Sequence, residues 1–172
     1  MSGKKNRKIV NFPGFTLVEV MVALSIIMVG MLGAFGLVNQ TISVAKTASM
    51  QLTAAYLAKE GIELVKSIRD NNYLNIHYND TGTWSDGLQF CEFGCGVDYT
   101  MLALDSAYAD MALKHDGSFF NYTSGTITPY RRKIEVDTYA DYVNIRVIVT
   151  WSERGRNHQL RVQENLYNWW PQ

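Results

Sequence analysis

Gly14-Phe15-Thr16-Leu17-Val18-Glu19-Val20-Met21-Val22-Ala23-Leu24 opens an apolar run that continues without a charged residue to Val38. From Val20 to Val38 there are nineteen residues, and Ser25 is the one clearly polar side chain among them. As a helix this stretch rises about 28 Å, close to the hydrocarbon thickness of a bilayer. A core helix of a soluble domain would present a polar face, and this one has none. Upstream, Lys4, Lys5, Arg7 and Lys8 stand with no acid in the first fourteen positions. Such a cluster stays on the cytoplasmic side and sends the C-terminal body outward. Removing those four from the 16 basic residues leaves 12 against 16 acidic ones, so the body is net acidic. A basic head on a mildly acidic body does not look like a nucleic-acid binder, which needs a basic stripe on its folded part.

A cleavable secretory signal has the same order of basic and apolar regions. Its apolar core is shorter, however, and its cleavage site follows that core. Here Ser43 and Ala45 are the small residues that would serve. The more informative junction lies on the near side, where lysines lead to Pro13-Gly14 and then Phe15-Thr16-Leu17-Val18-Glu19.

A short basic leader ending in glycine, a hydrophobic residue, Thr-Leu, and a glutamate four positions after that residue resemble the N-terminus of type IV prepilins and type II secretion pseudopilins. The close resemblance covers roughly residues 4–38. It implies cleavage between Gly14 and Phe15 by a prepilin peptidase, which also N-methylates Phe15. It implies an inner-membrane protein with its C-terminus outside, surrounded by lipid until an assembly platform passes it to a filament of pilin or pseudopilin subunits. That filament lies in the periplasm or at the cell surface. Gly14 offers no side chain to hinder a protease, and Pro13-Gly14 disfavours helix at the scissile bond. Cleavage there removes the cationic anchor and keeps the apolar helix.

Glu19 is the predicted assembly residue. A carboxylate inside an apolar helix bundle costs several kcal/mol if unpaired. Pairing with the new amine on Phe15 of a neighbouring subunit neutralises both charges. The competing reading leaves Glu19 in the headgroup layer or bonded to its own helix start. Gly30, Gly33 and Gly36 recur every third residue, spaced for close helix packing or merely common in membrane helices. Many family members carry a proline near the position of Gly36, and this sequence does not. Gly30-Met31-Leu32-Gly33 and Tyr56-Leu57-Ala58-Lys59-Glu60-Gly61 are more similar to minor subunits. A permanently anchored single-pass protein with a ligand-binding outer domain is the rival of a different class.

Beyond Val38 the pattern turns amphipathic. Ala54, Leu57, Ala58, Gly61, Leu64, Val65 and Ile68 mark one helix face, opposite Lys59, Glu63, Lys66 and Asp70. Lys59–Glu63 and Lys66–Asp70 are spaced as i,i+4 ion pairs. One helix from Phe15 to Asn72 is predicted, ended by Asp70-Asn71-Asn72. The organisation expected is a leader over 1–14, a transmembrane half-helix over 15–38, an amphipathic half over 39–72 and a head over 73–172.

Residues 73–128 read as loops, with a short helix near Ala103–Leu113 and a weak strand near Val97–Met101. Alternation then marks strands over 130–137, 142–151 and 158–167, with a turn at Ser152-Glu153-Arg154-Gly155-Arg156. The predicted fold class is α+β and pilin-like: a long N-terminal helix packed on a small antiparallel sheet of about three to four strands. Trp151 is assigned to the core, and Trp169-Trp170 are left open between core and surface. Cys91 and Cys95 fit a short disulfide, a pair of free thiols or, least well, part of a metal site. His77, His115 and His158 are scattered, Ser124 lacks a nucleophile elbow, and no phosphate loop occurs. No catalytic residue, metal or cofactor is predicted.

Overall fold

A computed structural model describes residues 14–109 and 111–169. The basic cluster, Pro13 and Trp170 lie outside them. The chain forms two compact units, one up to Ala45 and one from Lys46. A single helix, α1, covers Leu17–Asn79. In the first unit its side chains are exposed almost throughout, and the apolar window within it has no buried share.

In the second unit, α1 packs one stripe against an antiparallel sheet. Ala54, Leu57, Ala58, Gly61, Ile62, Val65 and Ile68 are buried, which follows the predicted face. Five strands form the sheet: β1 (Ala112–His115), β2 (Phe120–Asn121), β3 (Thr126–Thr138), β4 (Tyr142–Glu153) and β5 (Arg156–Tyr167). Their order is β2-β1-β3-β4-β5. The three predicted strands are β3, β4 and β5, so the sheet is slightly larger than expected. Along β3, Tyr130, Arg132, Ile134 and Val136 face the core together with Val143, Ile145, Val147 and Val149 of β4. The β4–β5 turn places Arg154 at φ 50° and Gly155 at φ 76°, between the paired residues Glu153 and Arg156. Two consecutive positive φ values match the right-handed twist of the flanking strands.

Four local expectations differ from what is observed. The helix runs seven residues past Asn72, to Asn79. Asn72 does not turn on its own backbone; its amide donates across to the carbonyls of Trp84 (3.2 Å) and Asp86 (2.7 Å). Tyr73 is buried behind it, which rewards one more turn. Asp80, at φ 49°, then donates its N–H to the Ile76 carbonyl and ends the helix. Residues 97–101 form a turn rather than a strand, because buried Asp98 accepts the N–H and hydroxyl of Thr100 and the N–H of Tyr122. The helix expected near Ala103–Leu113 reduces to a 3-10 turn over Ser106–Tyr108, and β1 follows. Neither i,i+4 ion pair forms among the described residues: Lys66 binds Glu63 and Glu164, and Asp70 binds Arg69.

Candidate functional site

Gly14, Phe15 and Thr16 precede the helix in non-helical backbone, with Phe15 82% exposed. Thr16 is the N-cap. Its hydroxyl oxygen accepts the N–H of Glu19 at 3.2 Å, and its carbonyl accepts the N–H of Val20. Thr16 and Glu19 therefore hold the spacing of a capping box, in which the N-cap side chain binds the N–H three residues on. That spacing was legible in the sequence as Thr-x-x-Glu, but the role of Thr16 was not foreseen. A capped helix start fixes where helical backbone begins, at Leu17, two residues after Phe15.

Glu19 is the one charged side chain from Phe15 through Ala45. Its carboxylate makes no hydrogen bond or ion pair with another described residue. It sits in the first turn, where the helix dipole favours a negative charge. The hydroxyls deeper in the run are satisfied within the helix: Ser25 donates to the Met21 carbonyl (2.8 Å) and Thr41 to that of Leu37 (2.9 Å). Such bonds let a hydroxyl sit in an apolar setting without a partner from outside. Among the described residues from Phe15 through Ala45, Glu19 therefore carries the one charge that no other side chain meets. Around Gly30, Gly33 and Gly36 an added Cβ would meet nothing within 4 Å, leaving three shallow stations on the helix surface.

The head carries a different set of groups. Cys91 and Cys95 are joined by a disulfide with Cα atoms 5.4 Å apart. The loop it closes pairs with the stretch of β3 that β1 does not reach: Cys95 and Ile134 exchange backbone hydrogen bonds, and Val136 donates to the Cys91 carbonyl. Arg132, a charged residue among the core-facing positions of β3, is fully buried. Its guanidinium donates to the carbonyls of Leu57 (3.2 Å) and Val97 (2.6 Å) and pairs with Glu60 at 3.3 Å. It thereby ties helix, loop and strand together. On the opposite sheet face, Glu135 is held below the ordinary carboxylate range by a hydrogen bond from Lys133, with Arg146 adding to it. A cleft of about 740 Å³ lies beside Tyr73, His77, Trp84 and Asn168.

The three histidines are not brought together. His115 meets Phe120, His158 stacks on Trp151, and His77 lies against Tyr78. Among the described residues no group of three or more His, Cys, Asp or Glu is placed to hold a metal. Trp151 is buried and Trp169 is 59% exposed, its ring 5.4 Å from that of Tyr73.

Residues 11–35 match the family model of the prokaryotic N-terminal methylation motif, the prepilin-type signature. No curated protein matches the chain, and no solved structure does. The matched segment contains Gly14, Phe15, Thr16 and Glu19 and most of the exposed apolar run. The motif and that run together fit a pilin- or pseudopilin-like protein anchored in a membrane.

Proposed function

We propose that the chain is a structural subunit, a minor pilin or pseudopilin, of a type IV pilus or type II secretion-like filament. A prepilin peptidase hydrolyses the Gly14–Phe15 amide, leaving a carboxylate on Gly14 and a free amine on Phe15. Methylation keeps that amine protonatable and therefore cationic. The observation that carries this reading is the methylation motif over residues 11–35, seated on the capped start of an exposed apolar helix whose one charge is Glu19.

The physics of assembly follows from that arrangement. Leu32 and Phe35, 74% and 66% exposed, face lipid at no cost before assembly. In a filament, sister helices replace the lipid, and the change in apolar contact is small. The charges decide the outcome. Removing one member of a buried ion pair costs about 3–5 kcal/mol. A subunit therefore docks stably when its Glu19 finds the Phe15 amine of a neighbour. Cleavage and assembly are coupled because the leader both blocks that amine and anchors the chain.

The test is Glu19→Ala in the full-length chain, scored separately for membrane insertion, leader removal and recovery in sheared filaments. Insertion and cleavage should be unchanged, and filament recovery should fall at least about tenfold. Normal recovery of the variant would remove the charge-pairing reading. The cleft at Tyr73 and Trp84 favours a second reading, a permanently anchored protein whose outer domain binds a ligand. That protein would keep its leader.

A further inference from the structure

β5 forms one edge of the sheet, and its outer side has no partner strand among the described residues. Its pairing with β4 continues over 12 residues with no bulge and no proline. The phase of that ladder follows from the turn. Glu153 and Arg156 flank a two-residue turn and so exchange backbone hydrogen bonds, after which bonded and non-bonded pairs alternate. His158, Leu160, Val162, Glu164 and Leu166 therefore bond to β4. Asn157, Gln159, Arg161, Gln163 and Asn165 turn their N–H and C=O groups outward. The bond from the Asn168 N–H to the Asp141 carbonyl, one residue past the strand, has the same phase.

An open edge is a template for another strand unless a bulge, a proline or a charge blunts it. Here the blunting element is a charge. On the sheet face away from the helix, Arg161 lies across from Ile148, and Lys133 follows along the same row. Lys133 pairs with Glu135, and Arg146 pairs with Glu135 and Asp137, whereas Arg161 has no ion pair among the described residues. Arg156 is exposed at the turn end of the strand, and Glu164, on the helix side, is taken up by Lys66. That helix side is apolar at the edge. Leu160 and Val162 are only partly buried, beside Val149 and Val147 of β4, which are fully buried. A strand laid along β5 with apolar residues on that side would cover both. A second copy of β5 does not fit the charge. On the face that carries Arg161 it presents Asn157, Gln159, Arg161, Gln163, Asn165 and Tyr167, with no acid among them. A one-residue slip that brings Glu164 to that face puts Leu160 and Val162 on the wrong side.

We propose that the outer edge of β5 is a docking site for an extended segment of another protein. That segment joins the sheet as a further strand, with apolar residues on the helix side and a carboxylate beside Arg161. The outward N–H and C=O groups of β5 supply main-chain hydrogen bonds that any extended peptide can complete. Leu160 and Val162 set the alternation, and Arg161 sets the charge. The same guanidinium that keeps two copies from pairing edge to edge thus selects an acidic partner. The site lies wholly within the unit that begins at Lys46, and it serves a filament subunit or a permanently anchored protein alike.

The full-length chain is held in phosphatidylcholine nanodiscs, and the probe is the peptide acetyl-Thr-Val-Thr-Val-Glu-Val-Thr-Val-Thr-amide. Amide hydrogen exchange is read residue by residue. At saturating peptide, exchange at Gln159, Arg161 and Gln163 should slow at least about tenfold, while Leu160 and Val162, already bonded to β4, should change less than about twofold. The same peptide N-methylated at the amides that face β5 should not bind. Replacing its glutamate by lysine should weaken binding at least about fivefold, and Arg161→Glu should reverse that preference. No slowing, or equal slowing of both sets of amides, overturns the docking edge. Equal binding of the acidic and basic peptides overturns the acidic partner. Slowing of the outward amides without peptide, growing with the number of copies per disc, assigns the edge to a second copy and overturns the proposal as well.

Discussion

Truncating Arg132 tests how the head is held to its helix. Arg132→Ala removes a fully buried guanidinium that serves the Leu57 and Val97 carbonyls and pairs with Glu60. The Val97 carbonyl loses its 2.6 Å donor, and a cavity opens between Gly61, Val147 and β3. The unmet carbonyls and the cavity together cost about 3–5 kcal/mol. Glu60 is 34% exposed on its side chain, so it returns to water and adds little to that figure. Arg132→Met separates the components, because it refills most of the volume and leaves only unmet carbonyls, worth about 1–3 kcal/mol. The Tyr122 hydroxyl bond to the Arg132 backbone carbonyl survives in both variants. Urea unfolding of the full-length chain in micelles, followed by tryptophan fluorescence, gives the comparison. The alanine variant should be less stable than the methionine variant by about 2 kcal/mol. An alanine cost below about 1 kcal/mol, or a methionine cost equal to it, refutes the role assigned to the guanidinium.

Two further outcomes are expected of the head. Replacing Cys91 and Cys95 by serine should destabilise it by about 2 kcal/mol, the loop-closure value for so short a ring. The same urea titration checks this, and exchange should rise first at Ile134 and Val136, whose backbones the loop pairs. Acid should weaken the head through Glu135, whose folded-state pKa is lowered by Lys133 and then Arg146. A lowered value means that its contribution is complete above the ordinary glutamate range and is lost as pH falls through the folded-state value. Glu135→Gln should therefore lose less of its urea midpoint than the parent chain between about pH 6 and about pH 3.

The N-terminal half of the molecule was legible because its signals are local. An uncharged run, a lone glutamate and a cluster of basic residues before them need no tertiary partner to be recognised. The stripe from Ala54 to Ile68 and the alternation along β3, β4 and β5 were equally plain, since one side of each element is apolar. Arg132 shows the limit of that reading. Its place in the stripe of Tyr130, Ile134 and Val136 was visible, but its partners Leu57, Glu60 and Val97 are distant in sequence. The segment 73–128 failed for the same reason. β1 is four residues long and exists by pairing with β2 and β3, and Asp98 turns the chain because the Tyr122 N–H reaches it. Asn72 misled because its side chain, read as a helix stop, serves a loop that only the folded head supplies.

The most direct test of the account is the mass of the mature N-terminus, read by intact and tandem mass spectrometry on protein from membranes and from filaments. The account predicts a chain starting at Phe15 with one added methyl group on its amine. A chain that retains Lys4 through Gly14, or one that starts after Ala45, would contradict it.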